Sequence, residues 1–168
     1  MRVAVTGTPG TGKTTAVDAV GTDLDVIHLN DVIKSEGLTS GHDADRGTLV
    51  ADVDALEEWL GGREDVLFES HLAHLFDADR VVVLRCRPDT LESRLTARDE
   101  SADSAAENAE SEALDLILSE TVNRYDEDTV YEIDTTDRSP ESVADAIEAV
   151  LTGEREPSAG TVSFVEYL

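Results

Sequence analysis

Near its start the chain reads Gly7-Thr8-Pro9-Gly10-Thr11-Gly12-Lys13-Thr14-Thr15. This stretch fits G-x-x-x-x-G-K-[ST], the pattern of a phosphate-binding loop, at every position. Its glycines allow successive backbone N–H groups to turn toward one anion, because a Cβ would crowd the phosphate oxygens. Lys13 supplies a positive charge for the outer phosphates, and Thr14 offers a hydroxyl to Mg²⁺. The stretch therefore predicts a site for a nucleoside triphosphate.

The residues on either side of this loop have the strand and helix patterns that such a loop requires. Residues 2–6 form a short apolar, β-branched run, which is typical of a buried strand. After the loop, Ala16, Val17 and Val20 recur at helical spacing, so the positive end of a helix points at the phosphates. A glycine-rich turn that happens to contain a lysine is the alternative, and the order strand, loop, helix argues against it.

Length and composition indicate one domain that is not stabilised by disulfide bonds. The chain has 168 residues, close to the usual size of about 150 per domain. Its single cysteine, Cys86, excludes a disulfide framework and lies in an apolar run that we interpret as buried. No apolar stretch reaches the roughly 18 residues of a membrane span, and the N-terminus is a core strand rather than a signal peptide. We therefore expect a cytoplasmic protein that does not contact a membrane.

The acidic charge is the unusual feature of the composition. Aspartate and glutamate number 38 against 13 lysines and arginines, which gives a formal net charge of −25 spread along the whole chain. Such a charge argues against direct binding to nucleic acid, which needs basic patches, but it does not exclude a basic protein partner. Self-repulsion of this size destabilises a compact state unless salt screens it.

We therefore predict that the fold depends on high salt. At molar salt the Debye length falls to about 3 Å, so most repulsion between surface carboxylates disappears. Thermal unfolding followed by circular dichroism should give a higher midpoint in molar KCl than in dilute buffer. Equal midpoints in the two solutions would contradict the predicted dependence of the fold on salt.

Apolar runs at residues 25–29, 65–69, 80–86 and 129–133 follow the first strand and alternate with helical patterns. This alternation predicts an α/β P-loop NTPase fold, with a five-stranded parallel sheet covered by helices on both faces. We expect a kinase domain over 1–152, a monophosphate-binding segment at about 28–51 containing a loop over 37–51, and a lid at about 97–107. A capping box at 104–107 predicts one long helix to about residue 125. The tail, 153–168, is expected to fold back on the domain, with a partner-docking strand as the alternative.

Candidate catalytic and metal-binding residues follow the carboxyl ends of these strands, where ligands of parallel sheets bind. Glu69 ends a strand predicted to lie beside that of the loop, and a carboxylate there holds Mg²⁺ or orients the attacking group. His71, two residues later, is placed to hydrogen-bond a phosphate or a water. His71 and His74 resemble a metal pair, but no third ligand has suitable spacing, so a zinc site is rejected.

Candidate cations lie on the lid side and on the acceptor side of the predicted site. Arg94 and Arg98 share one helical face, and Arg98 directly precedes the lid, where a guanidinium could clamp the transferring phosphoryl group. Surface pairing with the abundant acids is the alternative for both. Lys34 and Arg46 are candidates for binding an acceptor phosphate, and a solvated surface position is the alternative for Lys34.

Taken together, an ordered set of motifs carries a family resemblance. The set comprises residues 6–15, Glu69-Ser70-His71, Val83-Leu84-Arg85-Cys86-Arg87-Pro88, Arg94-Leu95 with Arg98, and Glu107-Asn108-Ala109-Glu110. On these residues the chain resembles the adenylate kinase isoenzyme 6 family of short archaeal and nuclear nucleotide kinases, over nearly its whole length to about residue 151. It departs from the family at Glu69, where aspartate is usual, in a lid that is acidic and small, and near Lys34, where arginine is usual.

The resemblance implies a nucleoside monophosphate kinase that phosphorylates AMP with ATP and Mg²⁺ and also hydrolyses ATP. It further implies a role in maturation of the small ribosomal subunit and its rRNA, through transient binding to a basic ribosomal protein. Carried over by position, Arg98 contacts ATP from the lid, and the other ATP-binding residues are Gly10, Gly12, Lys13, Thr14 and Thr15. Two alternatives stay open: an assembly factor switched by ATP with little kinase activity, and a kinase of a small metabolite such as shikimate or a sugar acid.

Overall fold

Seven strands are present in the computed structural model, which describes residues 1–43 and 48–168. They are β1 (Arg2–Thr6), β2 (Asp25–His28), β3 (Thr39–Asp43), β4 (Thr48–Ala51), β5 (Val66–Glu69), β6 (Arg80–Arg85) and β7 (Val130–Asp134). Five of them form a parallel sheet in the order β2-β5-β1-β6-β7. This confirms the predicted five-stranded sheet, and it places β1, with the phosphate-binding loop after it, in the middle.

Helices connect the strands and cover both faces of the sheet. They are α1 (Lys13–Asp18), α2 (Leu29–Glu36), α3 (Val53–Leu60), α4 (Pro88–Ala97), α5 (Ala102–Ala113), α6 (Leu116–Arg124) and α7 (Pro140–Thr152). Helix α7 shows why such segments begin where they do, because the Ser139 side chain accepts a hydrogen bond from the backbone of Ser142 and Pro140 occupies the first turn. None of the helices that the structure describes is long and apolar enough to cross a membrane.

Alternate residues of each strand feed two separate cores, one on each face of the sheet. Val3, Val5 and Leu67 pack with residues of α1 and α7 on one face. Ala4 and Phe68 pack with residues of α2, α3 and α6 on the other. Because both faces are buried, the strands are continuous apolar runs, which is why they could be read from the sequence.

The prediction of a loop over 37–51 was wrong for the part that the structure describes. Strands β3 and β4 pair antiparallel, with Thr39 opposite Ala51 and a register irregularity between Thr39 and Gly41. Strands of five and four residues with this irregularity have no clear period-two pattern, so the sequence did not indicate them. Residues 44–47, which include the candidate Arg46, lie outside the described residues.

The helix expected after a cap at 104–107 was also placed incorrectly. Ser101 caps α5 by accepting a hydrogen bond from the backbone N–H of Ser104, so the helix begins at Ala102. It ends at Ala113, because Asp115 has a positive φ of 54° and separates α5 from α6. The predicted lid segment thus contains the turn after α4 and the first half of α5.

The tail lies against its own chain along β7, the edge strand of the sheet. The Ser158 amide donates to the Val130 carbonyl, and the Ser158 hydroxyl accepts from the Glu132 amide. Farther along, Phe164 is buried, with its ring centroid 5.4 Å from the guanidinium carbon of Arg85. The tail therefore covers an edge that would otherwise present unpaired backbone groups.

Candidate functional site

The phosphate-binding loop leaves the central strand and runs directly into α1. Gly12 has φ +89°, and a Cβ built on it would meet no atom within 4 Å, so the residue faces open space at the start of the helix. Gly7 has φ +150°, and an added Cβ would lie 2.6 Å from the Leu84 carbonyl oxygen. Thr14 and Thr15 are exposed in the first turn of α1. The loop is thus shaped for backbone groups to approach an anion closely.

Lys13 is buried beneath this loop, and its ammonium group contacts the loop backbone. Its Nζ donates to the carbonyl oxygens of Gly7 at 2.8 Å and Thr8 at 3.2 Å. Burial lowers the pKa of Lys13 to about 8, against the opposing effect of the Glu69 and Glu112 carboxylates. A buried ammonium bonded to neutral carbonyls is costly, and an anionic ligand would compensate for that cost.

Arg98 lies close enough to this ammonium to affect it electrostatically. It is exposed at the C-terminal end of α4, and its positive charge also lowers the pKa of Lys13. Arg94, one turn earlier, instead contacts the loop and the segment after β7, because its guanidinium donates to the Gly10 and Thr135 carbonyls at 3.4 and 3.1 Å. Two like charges beside an amide-lined loop favour the binding of an anion there.

Glu69 and Thr14 place two oxygen ligands side by side at the edge of this loop. Glu69 ends β5, directly beside Val5 of β1, and its Oε1 accepts from the Thr14 hydroxyl at 3.0 Å. Such hard oxygen donors fit Mg²⁺, which prefers octahedral oxygen coordination. No larger group of metal-ligating side chains occurs within residues 1–43 and 48–168, so the remaining ligands would be phosphate and water oxygens.

A histidine that sequence reasoning missed also contacts Glu69. His28 is the last residue of β2, and its Nδ1 lies 2.7 Å from Glu69 Oε1, while its Nε2 lies 2.8 Å from Asp18. Burial lowers the pKa of His28, but the hydrogen bonds to Glu69 and Asp18 outweigh it and the pKa is raised. Its position at the end of an apolar run does indicate the ligand edge of the sheet, but the pairing of its strand with the Glu69 strand is not visible in the sequence.

His71 and His74 have different surroundings. His71 is exposed at the ligand edge, yet surrounding protein atoms and the positive charge of Lys13 lower its pKa from 6.5, so the imidazole is neutral at pH 7. His74 is buried and bridges two elements, with Nδ1 2.8 Å from the Thr6 hydroxyl and Nε2 2.6 Å from Glu120. Of the pair, His71 has access to a ligand, whereas His74 joins β1 to α6.

A second set of residues missed from the sequence lies behind the loop. Arg85 donates to Glu112 at 2.8 Å and to Glu132 at 2.7 Å, and it also pairs with Asp115. The second carboxylate oxygen of Glu112 accepts from the Thr8 hydroxyl at 2.6 Å. We refer to Arg85, Glu112, Asp115 and Glu132 as the buried ionic cluster. Its signal in the sequence was the presence of charged residues inside apolar strands and on the apolar side of a helix.

The candidate acceptor residues are less fully defined. Lys34 is exposed in the last turn of α2, the helix that follows directly after His28. It therefore lies on the segment between the ligand edge and β3. In the sequence Arg46 comes after β3 and before β4, outside the described residues. Of the two candidate acceptor residues, the structure therefore places Lys34 alone.

Comparison with known proteins gives consistent matches along the chain. Residues 3–115 match a protein-family model described as an AAA domain. A protein of Natronomonas pharaonis named "Putative adenylate kinase" is 65% identical over 168 residues, covering 100% of both chains. Proteins of the same name from Halobacterium salinarum and Methanothermobacter thermautotrophicus are 64% and 39% identical over 169 residues, with at least 98% of each chain covered.

Solved structures of low sequence identity share the fold. Shikimate kinase from Acinetobacter baumannii, in complex with shikimate, matches with a TM-score of 0.65 and 13% identity, covering 92% of this chain and 94% of that one. A sugar kinase from Janibacter matches with a TM-score of 0.57 and 17% identity, covering 90% and 94%. These likenesses show that the arrangement of sheet, loop and helices is that of P-loop kinases.

Proposed function

The chain belongs to an adenylate kinase-like family of archaeal P-loop proteins, and we propose that it transfers the γ-phosphoryl group of ATP to AMP to form two ADP. The observation that carries this proposal is the cationic, amide-lined loop at the centre of the sheet edge. There the Lys13 ammonium lies beneath the loop and the Arg98 charge lies nearby. Phosphoryl transfer needs positioning and charge stabilisation rather than a covalent intermediate, and this loop supplies both.

On the donor side, each residue has a role that follows from its position. The backbone groups of residues 10 and 12–15 surround the phosphates, and Lys13 neutralises the outer ones. Thr14 and Glu69 would hold Mg²⁺, which neutralises phosphate charge and keeps the β- and γ-phosphates in position. Arg98 stabilises the charge that develops on the transferring group. Arg94 supports the loop through the Gly10 carbonyl.

On the acceptor side, we propose that residues 28–51 receive AMP and that residues 97–107 act as the lid. Helix α2 carries the exposed Lys34, a cation for the acceptor phosphate, and Arg46 is a second candidate in the same segment. A lysine contacts phosphate as a point charge rather than in a bidentate manner. The proposed donor and acceptor would lie on the two sides of Glu69, because β5 lies between β1 and β2 in the sheet. We propose that the reaction takes place in the cytoplasm.

ATP hydrolysis within small ribosomal subunit maturation is a second proposed function. His71 is neutral at pH 7 and accessible at the ligand edge, so it is available to hydrogen-bond a water near the γ-phosphate. The net charge of −25 favours a basic protein partner such as a ribosomal protein. The family resemblance, rather than the site itself, supplies the ribosomal context.

One assay separates these functions. We expect ADP to form from ATP, Mg²⁺ and AMP in molar KCl at pH 7, with two ADP produced for each ATP consumed. Removal of Mg²⁺ with a chelator should stop turnover, because the phosphate charge is then left without its metal. The absence of AMP-dependent ADP formation would contradict the kinase proposal.

The same assay has informative alternative outcomes. Phosphate release that is independent of AMP, and that rises when a basic ribosomal protein is added, would support the ATP-switched assembly factor. ADP formation that requires shikimate or a sugar acid in place of AMP would support a small-metabolite kinase. Each of these outcomes leaves the ATP site intact and changes only the acceptor.

A further inference from the structure

The hydrogen bond between Thr8 and Glu112 joins the phosphate-binding loop to the end of α5. The Thr8 hydroxyl donates to Glu112 Oε2 at 2.6 Å, across 104 residues of sequence. Thr8 is 2% and Glu112 3% exposed, so water does not compete for this contact. A hydrogen bond from a hydroxyl to a buried carboxylate is short and charge-assisted, and it is stronger than one between neutral groups. Glu112 therefore fixes where the Thr8 side chain lies.

The position of Thr8 in turn determines where the Lys13 ammonium rests. The Thr8 carbonyl accepts from Lys13 Nζ at 3.2 Å, from the Thr11 hydroxyl at 2.9 Å and from the Thr11 amide at 3.2 Å. These three bonds form the turn of the loop and orient the cation beneath it. A shift of Thr8 would move both the turn and the ammonium, because they share one carbonyl oxygen.

Glu112 itself is held from the opposite side. Its Oε1 accepts from Arg85 Nε at 2.8 Å and from the Cys86 amide at 3.0 Å, and both donors lie at the end of β6. Arg85 is anchored by Glu132, and the Glu132 carboxylate accepts from the Thr161 amide at 2.7 Å in the tail. The Glu112 carboxylate thus cannot turn away from Thr8 without breaking two further hydrogen bonds.

We propose that Glu112 is a positioning residue of the ATP site, which holds the loop and Lys13 ready for a triphosphate before the nucleotide arrives. The inference rests on the proposed ATP-binding function, because it concerns the same loop. Preorganisation of this kind increases affinity for the ligand that the loop binds, since less ordering remains to be done on binding. It should not change the affinity for AMP, which we propose binds at residues 28–51 rather than at the loop.

The test replaces Thr8 by valine, which keeps its shape and removes the hydroxyl that Glu112 holds. We expect the Kd for ATP, measured by calorimetry in molar KCl, to rise about tenfold, as loss of one hydrogen bond to a charged group would cause. The Kd for AMP should stay within about twofold of wild type. Thr8→Ser keeps the hydroxyl and should restore ATP affinity. Thr8→Ala, which cannot clash, replaces the valine variant if that variant does not fold.

A matched control separates positioning from general loosening of the fold. Thr121 is also fully buried, but its hydroxyl donates to the Ile117 carbonyl of its own helix at 2.7 Å. Thr121→Val should therefore lower the melting temperature without changing the Kd for ATP. An unchanged ATP Kd in Thr8→Val, or equal losses for ATP and AMP, would overturn the positioning role. Failure of the wild-type chain to bind ATP would instead overturn the proposed function.

Discussion

Replacing Lys13 with methionine is expected to weaken ATP binding by roughly 10–100-fold, the loss typical of removing a hydrogen bond to a charged group. Methionine has nearly the length of lysine but carries no charge, so the outer phosphates would meet an apolar group. Among the described residues, no carboxylate oxygen forms an ion pair with Lys13, and its acceptors are two backbone carbonyls. Its charge is therefore available to a ligand. Calorimetry with ATP and Mg²⁺ in molar KCl measures the effect.

The same substitution should leave the fold intact, which separates a binding defect from unfolding. Burial lowers the pKa of Lys13 to about 8, below its usual value of 10.5, so the folded state binds this proton less tightly than the unfolded state does. The wild type should therefore gain stability as pH rises from about 8 toward 10.5, and K13M should lack that gain. Arg63→Met is the control, because Arg63 stacks on Trp59 away from the loop and its loss should not alter ATP affinity. If K13M bound ATP as tightly as the wild type does, the assignment of the ATP site to this loop would be wrong.

The parts that could be predicted from the sequence depend on local patterns. The five strands are apolar because both faces of the sheet are buried, and their observed bounds differ from the predicted ones by at most one residue at either end. The loop pattern likewise contains all its information within residues 7–15. Glu69 could be identified as a ligand-edge residue because parallel strands end together, and it does lie beside Thr14.

The parts that could not be predicted depend on contacts between distant residues. Arg85 lies in an apolar strand, and its partners Glu112 and Glu132 are 27 and 47 residues away, so no local pattern joins them. His28 was interpreted as part of a strand, although its contact with Glu69 follows from the register of β2 on β5. The break at Asp115 was missed for a related reason. A residue with positive φ interrupts an otherwise continuous helical stripe, and its partner Arg85 is distant in sequence.

The buried ionic cluster leads to the largest stability effect that we expect. Arg85 is 1% exposed and contacts three carboxylates, two of them also buried, and no other lysine or arginine in the part of the chain that the structure describes forms an ion pair with them. Burial alone would lower the pKa of Arg85, but Glu112 and the other carboxylates raise it, so the guanidinium stays charged. Arg85→Met would leave Glu112 and Glu132 buried without their cation, which costs about 3–5 kcal/mol of unfolding free energy. Urea unfolding at fixed molar KCl measures this loss.

Two matched variants show whether the effect comes from burial of the cluster. Arg87, two residues later in the chain, forms an exposed ion pair with Asp89, so Arg87→Met should lower the stability far less than Arg85→Met does. Arg85→Lys keeps the charge but not the planar fork that donates to several carboxylates at once, so its stability should lie between wild type and Arg85→Met. If Arg85→Met were as stable as Arg87→Met, the cluster would not anchor the loop, β7 and the tail. Arg85 also holds Glu112 in place, so the Kd for ATP should be measured for Arg85→Met as well. If this variant lost much stability but kept its affinity for ATP, the cluster would stabilise the fold without positioning the loop.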